Sequence, residues 1–260
     1  MCRLLGVRAN QPVELEFSLI LAGKSFSGLG AEHRDGWGMG WYVAGKPHVF
    51  KEVVPAPDSK ELPRLAREEV SHIFICHVRK MTEGERKKEN CHPFQYESWL
   101  FAHNGSVKRE PLWDGLDTRH REAIQGKTDS EVYFHWILQN IDNCQGDVVS
   151  GVRLSLQSIV DYSGLNFILS DGESLYAYRD ASKNCDYYSL YYLMRDPTNC
   201  GPETFQSTEL GTLIRSKGLR EEKAVMVCSE QLTPEAWQKI PLRFLLVISS
   251  DLKPQLVKLR

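Results

Sequence analysis

The chain has 260 residues, 42% apolar and 25% charged, with a net charge of −2 and seven cysteines. This is ordinary globular composition, with no basic tract that would mark a nucleic-acid partner and no apolar run of about 18 residues that would cross a membrane. The cysteines stand at 2, 76, 91, 144, 185, 200 and 228 and form no CxxC pair, and no apolar leader is visible. These features exclude a disulfide framework or zinc ribbon and fit a reducing, cytoplasmic setting.

In chain order, residues 2–8 read as a short apolar strand and 15–22 as an apolar helix. Residues 23–38 are glycine-rich, with charges clustered at 32–35, which is loop chemistry. Residues 37–43 and 48–54 are strand-like around the turn Ala44-Gly45-Lys46-Pro47, and 59–70 is a charged amphipathic helix. Residues 72–79 (HIFICHVR) form a β-rich apolar run, followed by a polar loop to Asn90. Residues 99–102 are predicted as a strand that ends in His103-Asn104-Gly105. Thr128 with Glu131 three positions on has the pattern of a capping box opening a helix over 129–140. A second helix is predicted over 148–162, with Val149, Val152, Leu156, Ile159 and Val160 on one side. Residues 165–169, 174–178, 224–228 and 244–248 read as strands, and 181–222, the least patterned stretch, is expected to pack on the core or cover it. No repeat or linker divides the chain, so the expectation is one α+β layered domain over 1–260.

Four groups of residues carry candidate chemistry. Cys2 directly follows the initiator Met, and removal of Met1 would place a free α-amine beside its thiol. Nucleophile and general base would then reside in one residue; the bland reading is a buried, inert cysteine. His103-Asn104-Gly105 ends an apolar strand, and an Asn side-chain N–H with a Gly backbone N–H can form an oxyanion hole; Asn-Gly is equally a hairpin turn. Arg79, leaving a buried strand with Thr82 three positions later, can fork onto a carboxylate or sit at the surface. Asp129, in Thr128-Asp129-Ser130-Glu131, can receive an ammonium group while the cap holds it in place. Cys76, His77, Cys91 and His92 do not have a zinc-ligand spacing, and Cys76 and His77 would face opposite sides of one strand. No metal or cofactor is expected.

Taken in order, Cys2, His77-Val78-Arg79, His103-Asn104-Gly105 and Thr128-Asp129-Ser130-Glu131 resemble the class II glutamine amidotransferases of the N-terminal-nucleophile hydrolase superfamily. Met1-Cys2-Arg3-Leu4-Leu5-Gly6, Asp35-Gly36-Trp37-Gly38, Asn90-Cys91-His92-Pro93-Phe94, Leu169-Ser170-Asp171-Gly172 and Glu235-Ala236-Trp237-Gln238-Lys239-Ile240 point to the stand-alone YafJ-type subgroup. The resemblance implies an αββα sandwich of two antiparallel sheets between helical layers. It implies that Cys2 attacks a side-chain amide, that Asn104 and Gly105 hold the oxyanion, and that Arg79 with Thr82, His103 and Asp129 bind the substrate. A γ-glutamyl thioester on Cys2 would follow, from glutamine or a γ-glutamyl compound. The loop 80–89 would fold over the substrate, where Lys80, Arg86 and Lys87 would favour a leaving group bearing a carboxylate. The alternatives are an ammonia-supplying subunit of a separate synthase, or a catalytically silent binding module. The implied partners are a small-molecule substrate and a synthase or peptidase subunit, with neither nucleic acid nor membrane.

Overall fold

The computed structural model describes residues 2–22, 24–81, 85–196 and 222–260. Two antiparallel sheets form its centre. The first runs β11 (Gln238–Lys239), β9 (Tyr191–Arg195), β10 (Ala224–Cys228), β1 (Arg3–Val13), β4 (Ser71–Val78), β2 (Trp37–Val43), β3 (Lys46–Glu52). The second runs β13 (Gln255–Lys258), β12 (Phe244–Ile248), β8 (Leu175–Arg179), β7 (Tyr162–Ser170), β6 (Trp99–Val107), β5 (Phe94–Tyr96).

Period-two alternation divides the side chains of each strand between two cores. Ile73 and Ile75 of β4 meet Leu100 and Ala102 of β6, Ile168 of β7 and Leu4 of β1 between the sheets. Phe74, Cys76 and Val78 face the opposite way, toward Leu62 and Leu65 of α2 (Glu61–Glu68) and Phe26 of α1 (Phe26–Leu29). On the far side Phe101 of β6 and Phe167 of β7 pack against Val132, Phe134 and Ile137 of α5 (Asp129–Asn143) and Val152 and Leu156 of α6 (Val148–Gln157). The layers are thus helix, sheet, sheet, helix, and the first helical layer is built of short pieces. No helix among the described residues is long and apolar enough to cross a membrane.

Several boundaries differ from the sequence reading. The strand expected to stop before His103 continues to Val107, because Asn104 pairs with Asn166 and Gly105 with Leu165 of β7. The helix expected to reach residue 162 ends at Gln157, since Tyr162 is claimed by pairing with Val107. Strands β5, β9, β11 and β13 and the helices α1, α3 (Arg109–Gly115) and α4 (Thr118–Ala123) were not anticipated. Each is short, and the strands take their conformation from a neighbour more than from their own pattern. Of the unpatterned stretch 181–222, residues 191–195 join the first sheet, while 197–221 lie outside the described residues.

The layer between the second sheet and α5 depends on aromatic packing. Phe101 and Phe134 are stacked at 5.0 Å with a 9° interplanar angle. Phe134→Ala should therefore cost about 3–5 kcal/mol, measured by urea unfolding. A loss well under about 1 kcal/mol would show that the layer does not rest on this pair.

Candidate active site

Residue 2 is positioned from both sides. The register Arg3↔Val78 brings Cys2 beside the end of β4, where the Lys80 N–H points at its Sγ at 3.4 Å and the Lys80 carbonyl lies 3.5 Å from it. On the β10 side the Leu4 N–H donates to Ser229 Oγ at 2.9 Å, and the Ser229 N–H donates to the Leu4 carbonyl at 3.0 Å. Arg3 pairs with Glu230 at 2.6 Å, and Lys24 joins the same carboxylate. Ser229 and Glu230, just past the strand read over 224–228, thus clamp the start of β1. Burial pushes the Cys2 thiol up from its ordinary value, against the downward pull of the Lys80 backbone and the Arg79 guanidinium. At neutral pH the group is a thiol, so a nucleophilic role needs a base.

Arg79 follows the last residue of β4 and is buried. Its backbone is bracketed by the Asp35-Gly36 turn: the Arg79 N–H donates to the Gly36 carbonyl at 2.8 Å, and the Asp35 N–H donates to the Arg79 carbonyl at 3.1 Å. The Asp35 carboxylate also accepts the Met81 N–H at 2.9 Å. The guanidinium donates to the Glu85 carbonyl at 3.2 Å. Thr82 lies outside the described residues.

On β6, alternation sends His103 to the helical side and Asn104 to the inter-sheet side. Both ring nitrogens of His103 are engaged, Nε2–H donating to the Gly164 carbonyl at 3.1 Å and Nδ1 accepting from the Ser130 hydroxyl at 2.9 Å. That arrangement ties β6 to α5 and leaves no free ring nitrogen for a ligand. Asn104 is the opposite case. It is 1% exposed, and neither its Nδ2 nor its Oδ1 has a hydrogen-bond partner. Leaving such groups buried and unpaired costs about 1–3 kcal/mol, which sets this amide apart from the fully bonded His103 beside it. Gly105 has φ +149°, and a Cβ there would sit 1.9 Å from the Gly164 carbonyl oxygen, so β6 and β7 approach more closely than any other residue allows.

Asp129 opens α5 and is buried. Its carboxylate accepts the Val107 N–H at 2.8 Å and the Ser130 N–H at 2.8 Å, and burial raises its pKa. The capping box is half realised. Thr128 accepts the Glu131 N–H at 3.3 Å, but the Glu131 carboxylate reaches back past Thr128 to the N–H groups of Gln125 at 3.0 Å and Gly126 at 2.6 Å.

His77 and His92 were set aside as poor metal ligands. Their rings lie 4.1 Å apart, both are buried, and none of their four nitrogens has a hydrogen-bond partner. Cys76 faces the other core, and among the described residues no three His, Cys, Asp or Glu are grouped to hold a metal. The pairing of the two histidines follows from distant segments and has no local signal. Of the loop cations expected to meet a leaving group, Lys87 pairs with Glu85 at 2.5 Å, Arg86 donates to the neutral Arg34 carbonyl, and Lys80 forms no ion pair among the described residues.

Burial holds these histidines neutral. His103 and His135 are each lowered from 6.5 to about 4, and His77 and His92 well below 6.5. Between those values and 6.5 the unfolded chain binds more protons than the folded one. Stability is therefore complete above about pH 6.5 and falls as pH drops through that window. Asp129 and Glu131, raised by burial, oppose this only over the carboxylate range. His92→Phe should flatten the fall by up to about 1.4 kcal/mol per pH unit, read from urea unfolding at about pH 7 and about pH 5. An unchanged slope would remove His92 from the titrating set.

Comparison with known proteins adds an independent line. The family described as "Glutamine amidotransferases class-II" matches residues 1–252. DUG3 of Saccharomyces cerevisiae is 29% identical over 96% of this chain and 82% of its own. YafJ of Escherichia coli is 29% identical over 92% of this chain and 94% of its own. Both names describe glutamine amidotransferases. A glutamine aminotransferase class-II domain protein from Silicibacter pomeroyi superposes over 100% of both chains with TM-score 0.64 at 24% identity. Glutamine phosphoribosylpyrophosphate amidotransferase of B. subtilis gives TM-score 0.65 at 15% identity, covering 100% of this chain and 49% of its own. These structural likenesses carry the fold, an αββα sandwich of the N-terminal-nucleophile hydrolase kind.

Proposed function

We propose that this chain, which belongs to the class II glutamine amidotransferases, cleaves the side-chain amide of glutamine or a γ-glutamyl compound through a thioester on Cys2. The observation that carries the reading is the buried, unpartnered amide of Asn104 beside Gly105, at the end of the inter-sheet layer to which β1, just after Cys2, contributes Leu4.

The chemistry follows from what each group can do. The Cys2 thiol is protonated at rest, so the α-amine exposed by loss of Met1 takes the proton as sulfur attacks the amide carbon. Asn104 Nδ2–H and the Gly105 N–H donate to the oxyanion that develops. Arg79, with Thr82, receives the α-carboxylate. Asp129 keeps lone pairs beyond those used by Val107 and Ser130 and receives the α-ammonium. Collapse of the tetrahedral adduct breaks the C–N bond, and the proton held by the α-amine leaves with the departing nitrogen. Water then releases glutamate from the thioester. Because His103 is bound to Ser130 and Gly164, its part is to position α5 and Asn104.

Intact-mass spectrometry before and after a panel of γ-glutamyl amides tests this directly. The active protein should lack Met1 and gain a glutamyl mass on Cys2; an active sample that retains Met1 in full would sink the mechanism. Cys2→Ala should lower kcat/KM by roughly 10³-fold or more, while Cys91→Ala keeps most activity. Asn104→Ala should lower kcat by about 10²–10³-fold with a smaller change in KM. Equal loss in KM alone would assign Asn104 to ground-state binding.

A further inference from the structure

Arg3, in the opening Met1-Cys2-Arg3, has no part in the chemistry above, yet it touches the residue of the proposed nucleophile. Its guanidinium donates to the Cys2 carbonyl at 3.2 Å. The same side chain donates through Nε to Glu230 at 2.6 Å, and Lys24 holds the second oxygen of that carboxylate. The Tyr187 ring lies beside it, with the guanidinium carbon 5.8 Å from the ring centre. The Arg3 and Glu230 side chains are only 15% and 24% exposed, so water and salt screen the pair in part.

These contacts bear on the α-nitrogen of residue 2. The Cys2 Cα carries three heavy arms: the carbonyl, the thiol-bearing Cβ and the α-nitrogen. Arg3 holds the first, and the Lys80 N–H, 3.4 Å from Sγ, holds the second. At a tetrahedral carbon two held arms leave the third little freedom, whereas a residue ending the chain would otherwise turn freely. Covalent geometry also bounds the distance. A carbonyl oxygen lies at most about 3.6 Å from the nitrogen of its own residue, so the Arg3 guanidinium lies within about 7 Å of the α-nitrogen. Glu230 is one contact further out. A cation at such range favours the neutral amine and a carboxylate favours the protonated one. Among the described residues, the groups facing Cys2 from other elements are Arg79 and Lys80 after β4, Asp129 at the head of α5 and the Tyr188 phenol beyond β8.

We propose that Arg3 is a positioning residue for the base: it holds the α-amine of the mature Cys2 in place, and the Arg3–Glu230 pair sets how much of that amine is free to take a proton. The proposal rests on the reading above, in which the α-amine is the base, and adds the groups that aim and tune it. An ordinary α-amine has a pKa of about 7.7–8.0, so near neutral pH most of it is protonated and idle. Arg3 pushes it toward the neutral form. Glu230, shared between Arg3 and Lys24, limits that push while keeping the guanidinium on the Cys2 carbonyl.

The acid limb of the pH profile of kcat/KM reports the essential base of the free enzyme. It is followed with γ-glutamyl-p-nitroanilide, whose leaving group is coloured. Arg3→Met removes a positive charge and should move the limb to higher pH. Glu230→Gln removes a negative charge and should move it to lower pH. Each shift should be about 0.3–1 pH unit, the size expected of one partly screened charge at such range. The double variant should return close to the unsubstituted limb. A pair that merely stabilises β1 would move neither limb, or both the same way, and either result overturns the proposal. If Arg3→Met does not fold, Arg3→Lys takes its place. Its limb should stay with that of the unsubstituted protein while Glu230→Gln still moves down; any other pattern overturns the proposal. If no γ-glutamyl amide acylates Cys2, it is the hydrolase reading that fails. The amine is then titrated directly by NMR in the mature protein carrying isotope-labelled cysteine. Opposed shifts of the Cys2 titration in the two variants support the proposal; absent shifts, or shifts of one sign, overturn it.

Discussion

The structure depends on β1 lying inside the first sheet and being hydrogen-bonded on both sides, to β4 and to β10. A chain terminus is ordinarily the least ordered part of a protein. Here residues 3–8 pair with β4 and residues 5–9 with β10, and Ser229 and Glu230 close around the entry. The nucleophile proposed at residue 2 would gain the rigidity of a central strand while its own backbone lies at the sheet's end.

That placement sets what the other elements must do. The second sheet brings Asn104 to the same interior, and α5 supplies Asp129 from beyond it, joined to β6 through Val107 and through the His103–Ser130 contact. The polar groups collect where the inter-sheet core changes character. Ile73 and Ile75 continue along β4 into His77 and Arg79, and Leu100 and Ala102 continue along β6 into Asn104. Apolar packing on both sides makes these buried polar atoms costly, and the same low-polarity surroundings strengthen whatever hydrogen bonds a ligand supplies.

The candidate site was more legible in the sequence than its supports. Cys2, Arg79, Asn104 and Asp129 each have an ordinary reading alone and stand out through their order along the chain at readable strand ends and a helix start. The strand carrying Asn104 was cut short because Asn-Gly signals a turn locally, whereas pairing with β7 overrides that preference. The β10 clamp, the His77–His92 contact and the Glu131 reach to Gln125 and Gly126 join residues distant in sequence or loops without periodicity. Pattern reading had no means of finding them. The sandwich likewise came from the ordered motifs; alternation alone gave strands without their partners, and the edge strands β5, β9, β11 and β13 are too short to show a period.

The alternation in β1 has a meaning beyond packing. Leu5, Val7 and Ala9 face the outer core while Leu4 and Gly6 face the inner one, where a Cβ at residue 6 would crowd Ile168 and Leu175. The strand is in effect a ruler with apolar graduations, and Cys2 is the mark at its end. Sliding it by one residue would turn every graduation to the wrong face and carry the thiol out of the interior. Insertion or deletion of one residue between Leu4 and Ala9 would thus displace the proposed nucleophile without touching it.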